Sequence, residues 1–479
     1  MKTTLTLIIA FIILTSFTKV EGIIENSFKI DEDYKVEGTF SGNTQGEDSF
    51  HFIIAKHKEN KNYHILPFQF KNEKVIKMEP IVFDEQPSVL SFHNNGDQLS
   101  VITSYKDRKS RKFQVVDVNL TDQSFTKSAV IDGENYKTTL REKNQNFLVF
   151  SEKESLKIIT VKSANEIKDI SIKATDANED FLKSLHKNNL DAISSQEYVE
   201  NGSINDFRIY SNNGTITITQ EKTKDGTTNL AQINTNSDTI EELVISNFKS
   251  KEKGKGKLKK STSYVSENKL FLMNLKKENA TLDIHDLNTK SSKQLDILST
   301  DIANASSNKA AVGNFLKNAT KGKNQPTVTV NQAKNGQLKL RVDYVNKKMY
   351  SYNYNWWWHH HWMMQQQMWM MQQQQNQMIM QNNMRRFGPN GSEGYPIYIF
   401  KKKSESFFEI ALNSEGNIIP ANEVTTIHKN IDKEFYIKEI DNNKKLKHSS
   451  TVFTETTFRY ISYNKKSKTF VIKSKPLDY

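Results

Sequence analysis

The residues best equipped for chemistry stand together between Tyr352 and Gly388, in YNYNWWWHHHWMMQQQMWMMQQQQNQMIMQNNMRRFG. His359, His360 and His361 are followed closely by Met363, Met364 and Met368. Imidazole together with thioether suits copper, the soft thioether favouring the reduced ion, so the run is a candidate metal site. Three successive histidines point in different directions on either a helix or a strand, which makes it a sticky tract rather than a shaped cage. No other cofactor is suggested by the sequence.

The same stretch holds all five tryptophans, Trp356, Trp357, Trp358, Trp362 and Trp369, with Met370 and Met371 beside the last. No formally charged residue occurs from Asn355 to Asn383, in a chain that is 25% charged, and Arg385 and Arg386 mark the charged edge. Amphipathic rings and adaptable thioethers without charge describe a contact element for a protein partner. The interleaved glutamines argue against a lipid-spanning segment. The runs WWW, HHH and QQQQ also fit replication slippage in a tolerant loop, and Gln/Asn-rich tracts tend to self-associate.

Recognised catalytic constellations are missing. Asn390-Gly391-Ser392-Glu393-Gly394 lacks the first glycine of a nucleophile elbow. Gly254-Lys255-Gly256 is not completed to a phosphate loop, and Asp31-Glu32-Asp33 lacks the later ligands of a calcium loop. With no cysteine there are no disulfides, thiolate metal sites or thiol nucleophiles. These absences favour a non-catalytic binding or scaffold protein. Copper binding through the His/Met tract is one alternative, and a carboxylate-based hydrolase or lyase acting on polysaccharide is another.

The elements that must carry the tract are strands. Short period-two segments separated by Asn, Asp, Gly and Lys turns recur at 48–70, 97–131, 145–172, 268–297, 395–420, 433–453 and 456–474. Three or four antiparallel strands repeated at about 40 to 50 residues predict an all-β, degenerate β-propeller-like repeat of six to eight blades. Asp117-Val118-Asn119 and Asp286-Leu287-Asn288 sit in matching places and are expected to make turns. Two stretches break the rhythm and are expected as insertions, 175–200 and 299–326. In the first, Phe181, Leu182, Leu185 and Leu190 fall near helical spacing, with Asp176 or Asn178 as a cap. The Trp-Asp, Asp-box and kelch signatures are absent, so no propeller family is indicated.

Residues 1–22 read as a secretory signal peptide: Lys2, an apolar run from Leu5 to Leu14, then Val20-Glu21-Gly22 at the cleavage position. The apolar run is shorter than the ~20 residues of a spanning helix, so cleavage is expected and no transmembrane span in the mature residues 23–479. Export without cysteine, in a chain rich in Lys, Asn and Ile, points to a bacterial envelope, with a periplasmic, outer-membrane-surface or extracellular address and an envelope protein as partner. The net charge of +12 is partly concentrated in Lys249–Lys260, KSKEKGKGKLKK. That run suits an anionic polysaccharide or lipid surface. It has no interleaved aromatics, so nucleic acid is not expected as a partner.

Overall fold

The computed structural model describes residues 24–193, 205–298, 309–353 and 396–477, less a few single positions and the stretches 238–242, 250–256 and most of 421–445. The signal segment and the tract beyond Asn353 lie outside the described residues. Within them the chain is all-β, a repeat of propeller-type antiparallel blades in seven sheets of four or five strands. The first strands of the sheets are Tyr34–Asn43, Ser88–Asn95, Tyr136–Arg141, Phe207–Asn212, Leu258–Ser266, Thr327–Gln332 and Leu446–Phe453. In the first six sheets the later strands pair onto these in chain order.

The alternating sequence pattern and its exceptions follow from where each strand lies in its sheet. Asn146–Ser151, a second strand flanked on both edges, is buried at all six positions and reads as an unbroken NFLVFS. Ile167–Lys173, at the outer edge of the same sheet, buries Ile170 and Ile172 and exposes Asp169, Ser171 and Lys173. Central strands therefore lose the period-two signal that edge strands keep.

Two compact units divide the chain. One contains the first and seventh sheets and the other contains the second to sixth. In the smaller unit the seventh sheet takes its fourth strand from the start of the described chain: Ile24–Phe28 pairs antiparallel with Thr469–Pro476, from Ile24 opposite Ser474 to Phe28 opposite Phe470. Phe28 stacks on Phe470 at 5.7 Å and meets Phe68 at 4.5 Å, so this closing strand is held by packing as well as by its ladder.

Both expected insertions contain helix. Helix α1, Glu179–Lys187, buries Phe181, Leu182 and Leu185. Asn178 precedes it, and its Oδ1 accepts from the Thr175 backbone N–H at 2.9 Å. Leu190 corrects the sequence expectation. Asn188 turns extended and ends the helix, and Leu190–Ile193 becomes a strand parallel to Phe207–Asn212 at the edge of the fourth sheet. Helix α2, Lys309–Lys321, buries Val312, Phe315, Leu316 and Ala319, with the Phe315 ring edge-on to Phe408 at 4.9 Å.

The proposed equivalence of Asp117 and Asp286 holds on one side only. Asp286 accepts from the backbone N–H groups of Asn288 and Thr289 in a turn. Asp117 instead sits inside the strand Ser110–Asn119, buried, accepting from Ser100 Oγ at 2.7 Å and from the Ala164 N–H at 2.7 Å. Its neighbours Val116 and Val118 keep the strand continuous, so its carboxylate ties the second sheet to the third instead of closing a turn.

Candidate functional site

The tract of Trp356, Trp357, Trp358, Trp362, Trp369, Met370, Met371, Arg385 and Arg386 lies outside the described residues, as do His359, His360, His361, Met363, Met364 and Met368. The structure does describe the element that carries it. In the sixth sheet the second strand runs Leu338–Asn353 and the third runs Pro396–Leu412, 16 and 17 residues. Second strands of the other sheets have 6 to 10 residues and third strands 7 to 10.

The base of this hairpin is core. Leu338, Leu340, Val342 and Tyr344 are buried with Phe408, Ile410 and Leu412. The first strand of the sheet pairs only with Leu338 to Asp343, and the fourth only with Ala411 and Leu412. From Tyr344 opposite Ser406 to Asn353 opposite Pro396 the two long strands pair with each other, through one bulge at Asn346/Lys347. At ~3.3 Å per residue this two-stranded arm is about 30 Å long.

The basic run is described only at its ends. Lys249 closes the outer strand of the fourth sheet, and Leu258–Ser266 opens the fifth. The run therefore joins two successive sheets. Lys260 is drawn below its ordinary pKa by burial.

A buried charge cluster that sequence reading missed lies in the larger unit. Arg208, on the first strand of the fourth sheet, and Glu221, on the second, meet at 3.5 Å with 4% and 1% of their side chains exposed. Arg208 donates to the Ser263 carbonyl, and Glu221 accepts from the Ser263 N–H at 2.9 Å and from its hydroxyl. Asp191 stands opposite Arg208 on the added parallel strand and accepts from the Asn205 side chain at 2.7 Å. Burial pushes the Asp191 carboxyl up to about 6, against the Asn205 bonds and the Arg208 charge. Burial likewise raises Tyr210 to about 12, its ring edge-on to Tyr264 at 5.5 Å. The cluster ties the fourth sheet to the fifth and leaves its carboxylates enclosed. Arg208, Glu221 and Asp191 are far apart in sequence, and only RIY and QEK inside strand-like patterns hinted at inward charge.

Carboxylates in first-to-second strand turns form a second set of ties. Glu142 of the third sheet accepts the Gly214 N–H of the fourth through both oxygens, at 3.2 Å each. Asn213 and Gly214 both have positive φ, the backbone of an Asn-Gly hairpin turn, and a Cβ on Gly214 would fall 2.5 Å from Asn236. Glu267 of the fifth sheet accepts from Gln332 of the sixth. In the smaller unit, Glu47 of the first sheet accepts from Thr454 Oγ1 and, at 3.0 Å, from the Thr456 N–H of the seventh. Burial works to raise the Glu47 carboxyl, but the bonds from Thr454, Thr457 and Thr456 prevail and hold it below its ordinary value.

Among the described residues no group of three or more His, Cys, Asp or Glu is placed to hold a metal ion. No described helix is long and apolar enough to cross a membrane.

No family model matches the chain, and no curated protein sequence matches it. Similar solved structures include the β-propeller domain of the Trilobed protease from Pyrococcus furiosus, at 8% identity over 93% of this chain and 97% of that one, TM-score 0.33. Others are the WD40 domain of SCAP from fission yeast, at 8% identity over 56% and 90%, TM-score 0.23, and a GH43_1 enzyme from Xanthomonas citri, at 8% identity over 57% and 90%, TM-score 0.20. Likenesses of this order transfer no activity.

Proposed function

We propose that the chain is an exported bacterial cell-envelope protein that binds rather than catalyses, and that its uncharged Trp/Met/Gln tract is the docking element for an envelope protein. The single observation that carries this is the hairpin in the sixth sheet, whose strands are about twice as long as their counterparts and continue as a two-stranded arm with the tract at its end. An isolated two-stranded ribbon is marginal in water, so an arm this long favours a surface to rest on. The buried carboxylates support the same reading. Asp117, Asp191, Glu221 and Asp283 all accept hydrogen bonds from protein donors, and Asp117 and Glu221 do so across neighbouring sheets, which fits a structural role for them.

The test places a photo-crosslinking amino acid at Trp358 or Trp369 in native cells, with a control at the exposed Val130. A discrete adduct with one envelope protein from the tract positions, and none from Val130, is the expected result. Adducts that match at all three positions would remove the tract from the interface. Cell fractionation and sequencing of the mature N-terminus in the same experiment test export and cleavage after Gly22.

A further inference from the structure

Three aromatic side chains in the smaller unit share one face of the first sheet. Tyr34 begins its first strand, His57 ends the second, and His64 is the second residue of the third. Tyr34 stands directly opposite His57, and His64 opposite Ala55, two residues before His57, so pairing places all three on the same side. The two imidazole rings are close to parallel, 27° apart, with centroids 5.7 Å apart. Tyr34 lies edge-on to both, at 5.3 Å from His57 and 5.2 Å from His64.

Two ring nitrogens in this group are buried without a protein partner, His57 Nδ1 and His64 Nε2. His64 is 8% exposed, so its orphaned nitrogen is enclosed rather than solvated. The other nitrogen of His64, Nδ1, is 3.1 Å from Tyr34 Oη. When Nδ1–H donates to that oxygen, Nε2 presents a lone pair, the tautomer a metal needs; an oxygen behind the ligating histidine is the usual orienting partner. Asp31 and Asp33, in the turn just before Tyr34, add negative charge: after burial, they are what raises the Tyr34 phenol.

We propose that His57 and His64 form a two-imidazole chelate for a divalent transition-metal ion, with Tyr34 as its positioning residue. Cross-strand histidines on a rigid hairpin are pre-organised, and imidazole suits copper, nickel and zinc. With two protein ligands there is little geometry to select an ion, so affinity follows the general order, Cu²⁺ above Ni²⁺ above Co²⁺. The site is independent of the His/Met tract and of the docking reading.

The test uses the full mature chain with His359, His360 and His361 replaced by alanine, so that the tract cannot contribute. Cu²⁺ is titrated by calorimetry and the bound ion examined by electron paramagnetic resonance. One ion per chain is expected, with hyperfine coupling to two imidazole nitrogens. His57→Gln or His64→Gln should each weaken binding at least tenfold and abolish the two-nitrogen signature, and Tyr34→Phe should weaken it less while keeping the signature. Binding that is unchanged in both histidine variants overturns the site. So does a spectrum of the tract-cleared chain without imidazole coupling, a result that needs no further variant to fold.

Discussion

Asn353 pairs with Pro396 at the last rung of the sixth sheet's long hairpin, nine residues beyond the rung where Tyr344 faces Ser406. Leu338 to Asp343 are paired on both sides, and among the described residues Tyr344 to Asn353 pair only with the facing long strand. Residues 354–395, which contain the tract, connect the ends of these two strands. Deleting residues 355–384 should leave thermal unfolding within about 2 °C of the parent, since it removes no described core residue. Differential scanning calorimetry checks this, and a large loss would place the tract in the core.

The Arg208–Glu221 pair is enclosed, so breaking it from one side is costly. Arg208→Met should destabilise the chain by about 3–5 kcal/mol, because it leaves the Glu221 charge buried without its counter-ion. Replacing both, as Arg208→Met with Glu221→Leu, should recover a good part of that loss. Urea unfolding of the parent and the two variants measures the difference, and a double variant no more stable than the single one would contradict this.

Asp191 gives the stability a pH dependence of definite sign. Its carboxyl titrates near 6 when folded and near 3.8 in a free chain, so the folded state holds the proton more tightly. The stabilisation it contributes is complete below about 3.8 and is lost as pH rises through about 6. Asp191→Asn should therefore remove on the order of 2–3 kcal/mol of decline between pH 4 and pH 7. Stability curves at both pH values, for parent and variant, check it.

His51 acts in the opposite direction. Burial, helped by the Arg459 charge, pulls it to about 3 from an ordinary 6.5, and it bonds Ser41 at 2.7 Å and Ser49 at 3.0 Å. The unfolded chain takes up this proton first, so stability is lost as pH falls from about 6.5 towards 3. His51→Asn should flatten that limb, read as a smaller shift in urea midpoint between pH 6.5 and pH 4.

Glu142 holds a buried N–H of the neighbouring turn. Glu142→Ala leaves Gly214 without its acceptor and should destabilise by about 1–3 kcal/mol. Glu142→Gln keeps an acceptor oxygen and should recover part of it. Equal losses in the two variants would show that charge, not the hydrogen bond, makes the tie.

The sheet repeat was legible because edge strands such as Ile167–Lys173 keep their alternation, and the helices because Phe181, Leu182 and Leu185 share one face. Three things were hidden for physical reasons. Closure of the seventh sheet by Ile24–Phe28 joins the two ends of the described chain, which no local pattern records. Leu190 has helical spacing but is captured by a sheet edge, tertiary pairing overriding local periodicity. Asp191, Arg208 and Glu221, and likewise His57 and His64, become neighbours only through strand register, so their chemistry is invisible until the strands are paired.

The most direct measurement is an affinity pull-down from native envelope, with the mature chain beside a version lacking residues 355–384. One envelope protein retained by the parent and lost from the deletion, with both chains equally folded, is the expected result. A partner list unchanged by the deletion would contradict it and move the binding surface to the sheets.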